Sequence, residues 1–179
     1  MSQSKISTYR RNRIFACFCQ DVTATAAAKL AGVNRNTANY YYGKIRALML
    51  QASLLEGGRV FVKVVENCSR EELLPIIQGK ILEKSVIYTD GWKGYDGLIV
   101  NGYDHYRVFH SHDEFVRGKS HVNGIENFWS FAKRRLAKFN GCASDKFVLH
   151  LKECEFRYNH RDEDLLPVVK KLFKNSEKC

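Results

Sequence analysis

Acidic residues are nearly missing from the first fifty positions of this 179-residue chain. Asp21 is the only one there, against eight basic residues: Lys5, Arg10, Arg11, Arg13, Lys29, Arg35, Lys44 and Arg46. Eight minus one leaves +7 of the chain's net +10 in that block. A surface so poor in acids cannot neutralise itself, and it points to a polyanionic partner, most often nucleic acid. The block has no continuous amphipathic helix with a large apolar face, which argues against a membrane surface as that partner. No apolar run is long enough to span a bilayer, and no charged stretch followed by an apolar one opens the sequence. The expected address is the cytoplasm, at the nucleoid. The six cysteines form no C-x-x-C pair and no regular framework, which fits small apolar or inert thiols of a cytoplasmic protein. "HSH", His110 to His112, lacks partners at zinc-finger spacing, and no structural zinc is expected.

What is present suffices for a folded protein. At 45% hydrophobic and 12% aromatic the chain can bury a core and is not a disordered tail. The first fifty residues read as helices. One helix runs to about Leu30, "AGVN" breaks it, and another starts near Arg35. A small residue at Ala28, Gly32 in the turn and Asn34 as a cap give the pattern of a helix-turn-helix, whose second helix enters the major groove. Arg35, Asn36, Asn39 and Tyr40 are then placed to read base edges. A plain helical hairpin has the same pattern, and the charge of the block favours DNA.

After "LLEGG", Leu54 to Gly58, the character changes. "RVFVKVVENC" is β-branched and nearly continuous in apolar residues, as a buried strand is. "SREELLPIIQGKI" reads as a helix with Ser69 as cap and Glu72 three residues on. "SVIYTD" and "DHYRVFHS" read as two more strands. "HVNGIENFWSFAKRRLAKFNG" and "KFVLHLKECEFRYNHR" read as amphipathic helices. Strands with flanking helices predict an α/β layer. In the first of those two helices Ile125, Phe128, Trp129, Ala132 and Leu136 recur at helical spacing and predict the buried face.

Two acids in this part have ordinary and chemical readings alike. Glu126 stands three residues after Asn123, as in a capping box, and Asp90 starts a "DG" turn. Asp90 also ends an apolar strand, where α/β sheets place functional groups. Lys133, seven residues after Glu126, lies nearly in line with it on the helix. Lys133, Arg134, Arg135 and Lys138 fit a solvated face equally well.

"IYTDGWKGYDGL", "FHSHDEFVRGKSHVNGIENFWSFAKRRLAKFNG" and "LKECEFRYNHR", in that order over residues 57–161, resemble bacterial insertion-sequence transposases of the ISXO type. The resemblance implies a ribonuclease-H-like core, a mixed sheet with flanking helices, and DDE chemistry. It implies that Asp90 and Glu126 bind Mg2+ or Mn2+, that Lys133 touches DNA phosphate, and that Asn123 is a secondary member of the site. Arg134 and Arg135 join Arg10 and Arg13 as expected phosphate contacts. Such cutting and joining is in-line displacement at phosphorus, which two metal ions held by carboxylates support.

The first carboxylate of the implied set is missing. No aspartate stands between Asp21 and Asp90, and neither Glu56 nor Glu66 lies in a matching motif. The expected organisation is a helix-turn-helix region over 1–53, a junction at 54–58 left by an internal deletion, and a ribonuclease-H-like domain over 59–179, incomplete at its N-terminal side. The expected function is an insertion-sequence transposase with impaired chemistry. The alternative is a non-catalytic DNA-binding remnant or repressor; a nuclease without strand transfer would need the same incomplete site. Expected partners are double-stranded DNA, at element ends and target, and further copies of the chain.

Overall fold

A computed structural model describes residues 6–55, 60–89, 95, 98, 101–107, 121–139 and 143–177. Asp90, Glu56 and residues 108–111 of the third expected strand lie outside them. The described residues form seven helices and two strands: α1 Thr8–Cys19, α2 Ala24–Ala31, α3 Arg35–Leu55, α4 Arg70–Gln78, β1 Val86–Thr89, β2 Asp104–Arg107, α5 His121–Ala137, α6 Ser144–Asn159 and α7 Leu165–Ser176. The arrangement is mostly helical, with a small parallel sheet.

Two compact units divide the chain, Met1–Val62 with Phe128–Cys179, and Lys63–Asn127. This partition differs from a cut at 54–58, because α6 and α7 supply core to the N-terminal helices. Ile14, Phe15 and Phe18 of α1, Ala27 and Ala31 of α2, and Tyr42, Ile45 and Met49 of α3 are buried together with Phe156, Val169 and Phe173. A second cluster of the same unit joins Val60, Val62, Phe128, Ala132, Leu151 and Cys154.

Local chemistry sets the helix ends of this unit. The Ser7 hydroxyl accepts from the Arg10 N–H and the Thr23 hydroxyl from the Ala26 N–H, both at 3.4 Å, so each satisfies an orphan donor of a first turn. α2 ends at Gly32, which is left-handed at φ 62, ψ 44. The Val33 N–H closes back on the Ala28 carbonyl at 3.0 Å, the 6→1 bond that such a glycine permits. Asn34 Oδ1 then accepts from the Asn36 N–H at 2.8 Å and opens α3. The break at "AGVN" and the start at Arg35 are as expected. α7 is an addition to the expected elements, capped by Asp164, whose carboxylate accepts from the Leu166 N–H at 3.0 Å.

Among the described residues, the strand expected over "RVFVKVVENC" is not formed. Residues 60–67 join no ladder, and side chains of α6 take the place of a neighbouring strand. Asn159 brackets Val60, accepting from its N–H at 2.9 Å and donating to its carbonyl at 2.8 Å. Glu155 Oε2 accepts from the Val62 N–H at 2.7 Å and from Lys152 Nζ at 2.7 Å. Val60 and Val62 thereby bury their side chains while Val64 stays 56% exposed. The apolar run records burial at two positions, and the backbone partner is a helix.

In the second unit Ser69 holds the N-cap position of α4 without a side-chain cap bond. Glu72 reaches further back instead, accepting from the N–H groups of Glu66 at 3.1 Å and Asn67 at 3.3 Å. β1 and β2 pair in parallel, with Val86 opposite Asp104 and Thr89 opposite Arg107. Tyr88 and Tyr106 stack with ring centroids 5.6 Å apart. Thr89 Oγ1 lies 2.7 Å from His105 Nε2. Among the described residues, no helix is long and apolar enough to cross a membrane.

Candidate functional site

The turn between α2 and α3 is three residues long, and buried Ala28, Ala31 and Ala38 allow the two helices to lie close. α3 is seated by Tyr42, which is buried and donates to the Val22 carbonyl at 2.9 Å. Burial, the largest cause, pushes its phenol up and keeps it neutral. With Ala38 and Tyr42 facing inward, Arg35, Asn36, Asn39 and Tyr40 of the first turns face outward, all exposed. Tyr40 meets Tyr41 edge-on at 5.3 Å. Arg10 and Arg13 are exposed on α1, and Arg13 donates to the Tyr9 hydroxyl at 3.1 Å. The residues expected to read bases therefore share one accessible end of a rigidly held helix.

α5 carries the remaining described candidates. Glu126, Lys133 and Arg134 are exposed. Seven residues separate Glu126 from Lys133, two turns or roughly 10 Å of helix rise. Asn123 lies in the first turn of α5, but its side chain is outside the description, as is Asp90. The expected buried face is corrected in part: Phe128 and Ala132 are fully buried, whereas Ile125 and Trp129 are 47% and 41% exposed. The third buried position of the stripe is a charged one, Arg135, 5% exposed.

Arg135 is thus a correction as a DNA contact. Its guanidinium donates to Glu153 at 2.5 Å and to Asp21 at 3.0 Å. Sequence reasoning missed the cluster around Glu153. Arg46 of α3 donates to its Oε2 at 2.7 Å, and Arg157 donates to its Oε1 at 2.8 Å. Arg157 also donates to the Phe18 and Cys19 carbonyls at the end of α1, where a cation suits the unpaired acceptors. Burial would raise the Glu153 carboxyl, but Arg135, Arg46 and Arg157 hold it down at about 2. The one visible signal was Glu153 four residues before Arg157 in a stretch that also holds Cys154 and Phe156.

Asp21 has a second tie, to Lys138 Nζ, and it adopts φ 60 at the end of α1. A left-handed conformation is uncommon outside glycine, though tolerated best by Asn and Asp. Its carboxylate, that of the sole aspartate upstream of Asp90, pairs with Arg135 and Lys138. Among the described residues no group of three or more His, Cys, Asp or Glu side chains could hold a metal ion. Glu126 is the one expected metal ligand among the described residues, and it is exposed.

Residues 20–159 match the family described as the ISXO2-like transposase domain. The match runs upstream through the junction and into the helical region, and it ends before α7. An uncharacterized transposase-like protein of Haemophilus influenzae is 42% identical over 119 residues, covering 66% of this chain and 96% of that protein. An uncharacterized protein in transposable element ISH50 of Halobacterium salinarum is 33% identical over 76 residues, 42% of this chain. The chain spans 26% of that second relative's length. No solved structure matches the chain.

Proposed function

This chain belongs to the ISXO2-like transposase family, and from that premise we propose that it is a transposase-derived protein that binds duplex DNA through a helix-turn-helix and neither cuts nor joins it. The observation that carries the binding reading is the α2–α3 pair. Gly32 closes a three-residue turn, and Arg35, Asn36, Asn39 and Tyr40 stand outward on the first turns of α3. Arg and Asn can form bidentate contacts to guanine and adenine edges. Exposed Arg10 and Arg13 suit phosphate, as does Arg134.

Catalysis is the weaker half of the family's expected activity here. Asp90 and Glu126 are the two carboxylates that would hold Mg2+ or Mn2+, which would supply charge stabilisation at the phosphorus. Lys133 would offset phosphate charge as a point cation, with Asn123 beside Glu126 as a capping or supporting group. No aspartate stands between Asp21 and Asp90, neither Glu56 nor Glu66 lies in a matching motif, and Asp21 is ion-paired to Arg135 and Lys138. Two carboxylates do not give a magnesium pair its oxygen ligands and charge. A ribonuclease-H-like core missing its first strand would also leave the strand expected at "RVFVKVVENC" without a partner. The Asn159 and Glu155 contacts to residues 60–62 are in keeping with that.

The test incubates the purified chain with end-labelled duplex DNA and Mg2+, scoring binding and cleavage together. Retarded but intact DNA is the expected result. Insertion of a strand bearing the missing aspartate should restore cleavage, and Asp90→Ala or Glu126→Ala should then abolish it. Mg2+-dependent cleavage by the chain as it stands, lost on Asp90→Ala, would overturn the non-catalytic reading.

A further inference from the structure

We infer that α7 is a second DNA-contacting element, holding phosphates beside the groove-reading end of α3 through Lys170, Lys171 and Lys174. The inference rests on the DNA-binding reading above and extends it to a helix outside the family match.

α7 is divided sharply by chemistry. Val169 and Phe173 are buried in the first core, and Leu165, Leu166, Val168 and Leu172 pack against it. Lys170, Lys171 and Lys174 are exposed, and Leu165–Ser176 contains no acidic residue. At its N-terminal end Asp162 lies 3.9 Å from Arg161 and Glu163 3.4 Å from His160, and the two acids that flank the helix directly are engaged as well. Asp164 caps the helix, and Glu177 pairs with Arg11 of α1 at 2.9 Å. Three ammonium groups therefore stand on the outer surface with no acid on their own helix.

Their place in the unit decides what they serve. The Phe173 ring lies 5.9 Å from Tyr41 of α3, and Tyr41 is 5.3 Å from Tyr40. Lys44 Nζ sits 4.5 Å from the centre of the same Phe173 ring. The lysine next to Phe173 and the one a turn earlier are thus carried on a helix that flanks the first turns of α3. Packed helices lie about 8–10 Å apart, and the major groove is about 12 Å wide. A duplex that takes α3 into its groove would therefore bring a phosphate wall alongside α7. Lysines suit that role because phosphate contacts position a protein without reading sequence. A membrane would need the apolar side of α7, and that side is spent in the core.

The test measures affinity of the full chain for duplex DNA over a salt series, alongside a variant with Lys170→Gln, Lys171→Gln and Lys174→Gln. Each phosphate contact contributes about 0.9 to the slope of log affinity against log salt. The triple variant should lose about 2–3 from that slope while keeping its preference among sequences, and arginine at the three positions should keep the slope. All three side chains are exposed, so unchanged circular dichroism is expected and checks the fold. A wild-type chain that binds DNA, with the same slope in the triple glutamine variant, would overturn the α7 inference and leave the DNA reading standing. No affinity in the wild-type chain would overturn both.

Discussion

Arg46 on α3 and Glu153 on α6 are joined at 2.7 Å, and the carboxylate of Glu153 is fully buried. The same carboxylate receives Arg135 of α5 and Arg157 of α6. Three helices of the first unit therefore meet on one anion. The tie anchors α3 through Arg46, which lies two turns along the helix from Asn39 and nearly in line with it.

Glu153→Ala should destabilise the chain by about 3–5 kcal/mol, since it strands buried guanidinium groups without their counter-charge. Arg46→Met should cost less, because two arginines remain on the carboxylate. Urea unfolding monitored by circular dichroism gives both values. A loss below about 1 kcal/mol for Glu153→Ala would show that the cluster is ornamental to stability.

Acid should unfold the chain partly through the same residue. The Glu153 carboxyl is held at about 2 against an ordinary 4.5. Between those values the unfolded chain takes up a proton that the folded chain refuses, so stability falls as pH falls through that window. Glu153→Gln should be less stable at neutral pH and should show a flatter stability profile from about pH 5 to 2. Chemical denaturation at a series of pH values checks this.

His150 acts in a higher window. Burial, aided by Arg46, lowers its imidazole from 6.5 to about 4, and its ring lies 4.5 Å from Phe139 with Nδ1 buried and without a hydrogen-bond partner among the described residues. The unfolded chain protonates His150 below 6.5 and the folded chain does not, so stability declines from about pH 6.5 to 4. His150→Phe should remove that part of the pH dependence. A titration of the His150 ring by NMR with a midpoint above 6 would contradict the assignment.

Asn159→Ala should release the chain at Val60, because one side chain satisfies both the N–H and the carbonyl of that residue. Each lost bond to a buried backbone group costs about 1–3 kcal/mol. Hydrogen exchange at the Val60 amide should accelerate at least about tenfold, by the same scale, while the α1–α3 amides stay protected. Equal acceleration throughout would mean that the substitution unfolds the whole unit.

How much of this could be read in advance follows from how local each signal is. The α2–α3 turn was legible because Gly32, Asn34 and the alanines act within a few residues of one another. β1 and β2 were legible as short β-branched or aromatic runs, "VIYT" and "DHYR". The run at 60–67 misled because a valine-rich segment records that side chains are buried and says nothing of what meets its backbone. Arg135 misled for a similar reason. It stands in "KRR" beside two exposed cations, and the acids that draw it inward come from residues 21 and 153, far along the chain. α7 could have been read from Asp164 and the spacing of Leu165, Val169, Leu172 and Phe173.

The measurement closest to the central claim is the preference of the full chain for a duplex selected from a randomised pool over a scrambled one. It should be made by fluorescence anisotropy with and without Asn39→Ala or Arg35→Ala. The account predicts binding that weakens steeply with salt. It also predicts a preference that falls by about 1–3 kcal/mol in either variant, whereas Arg10→Ala or Arg13→Ala weakens binding to both duplexes alike. No affinity at low salt, or a preference undiminished by both α3 substitutions, would contradict it.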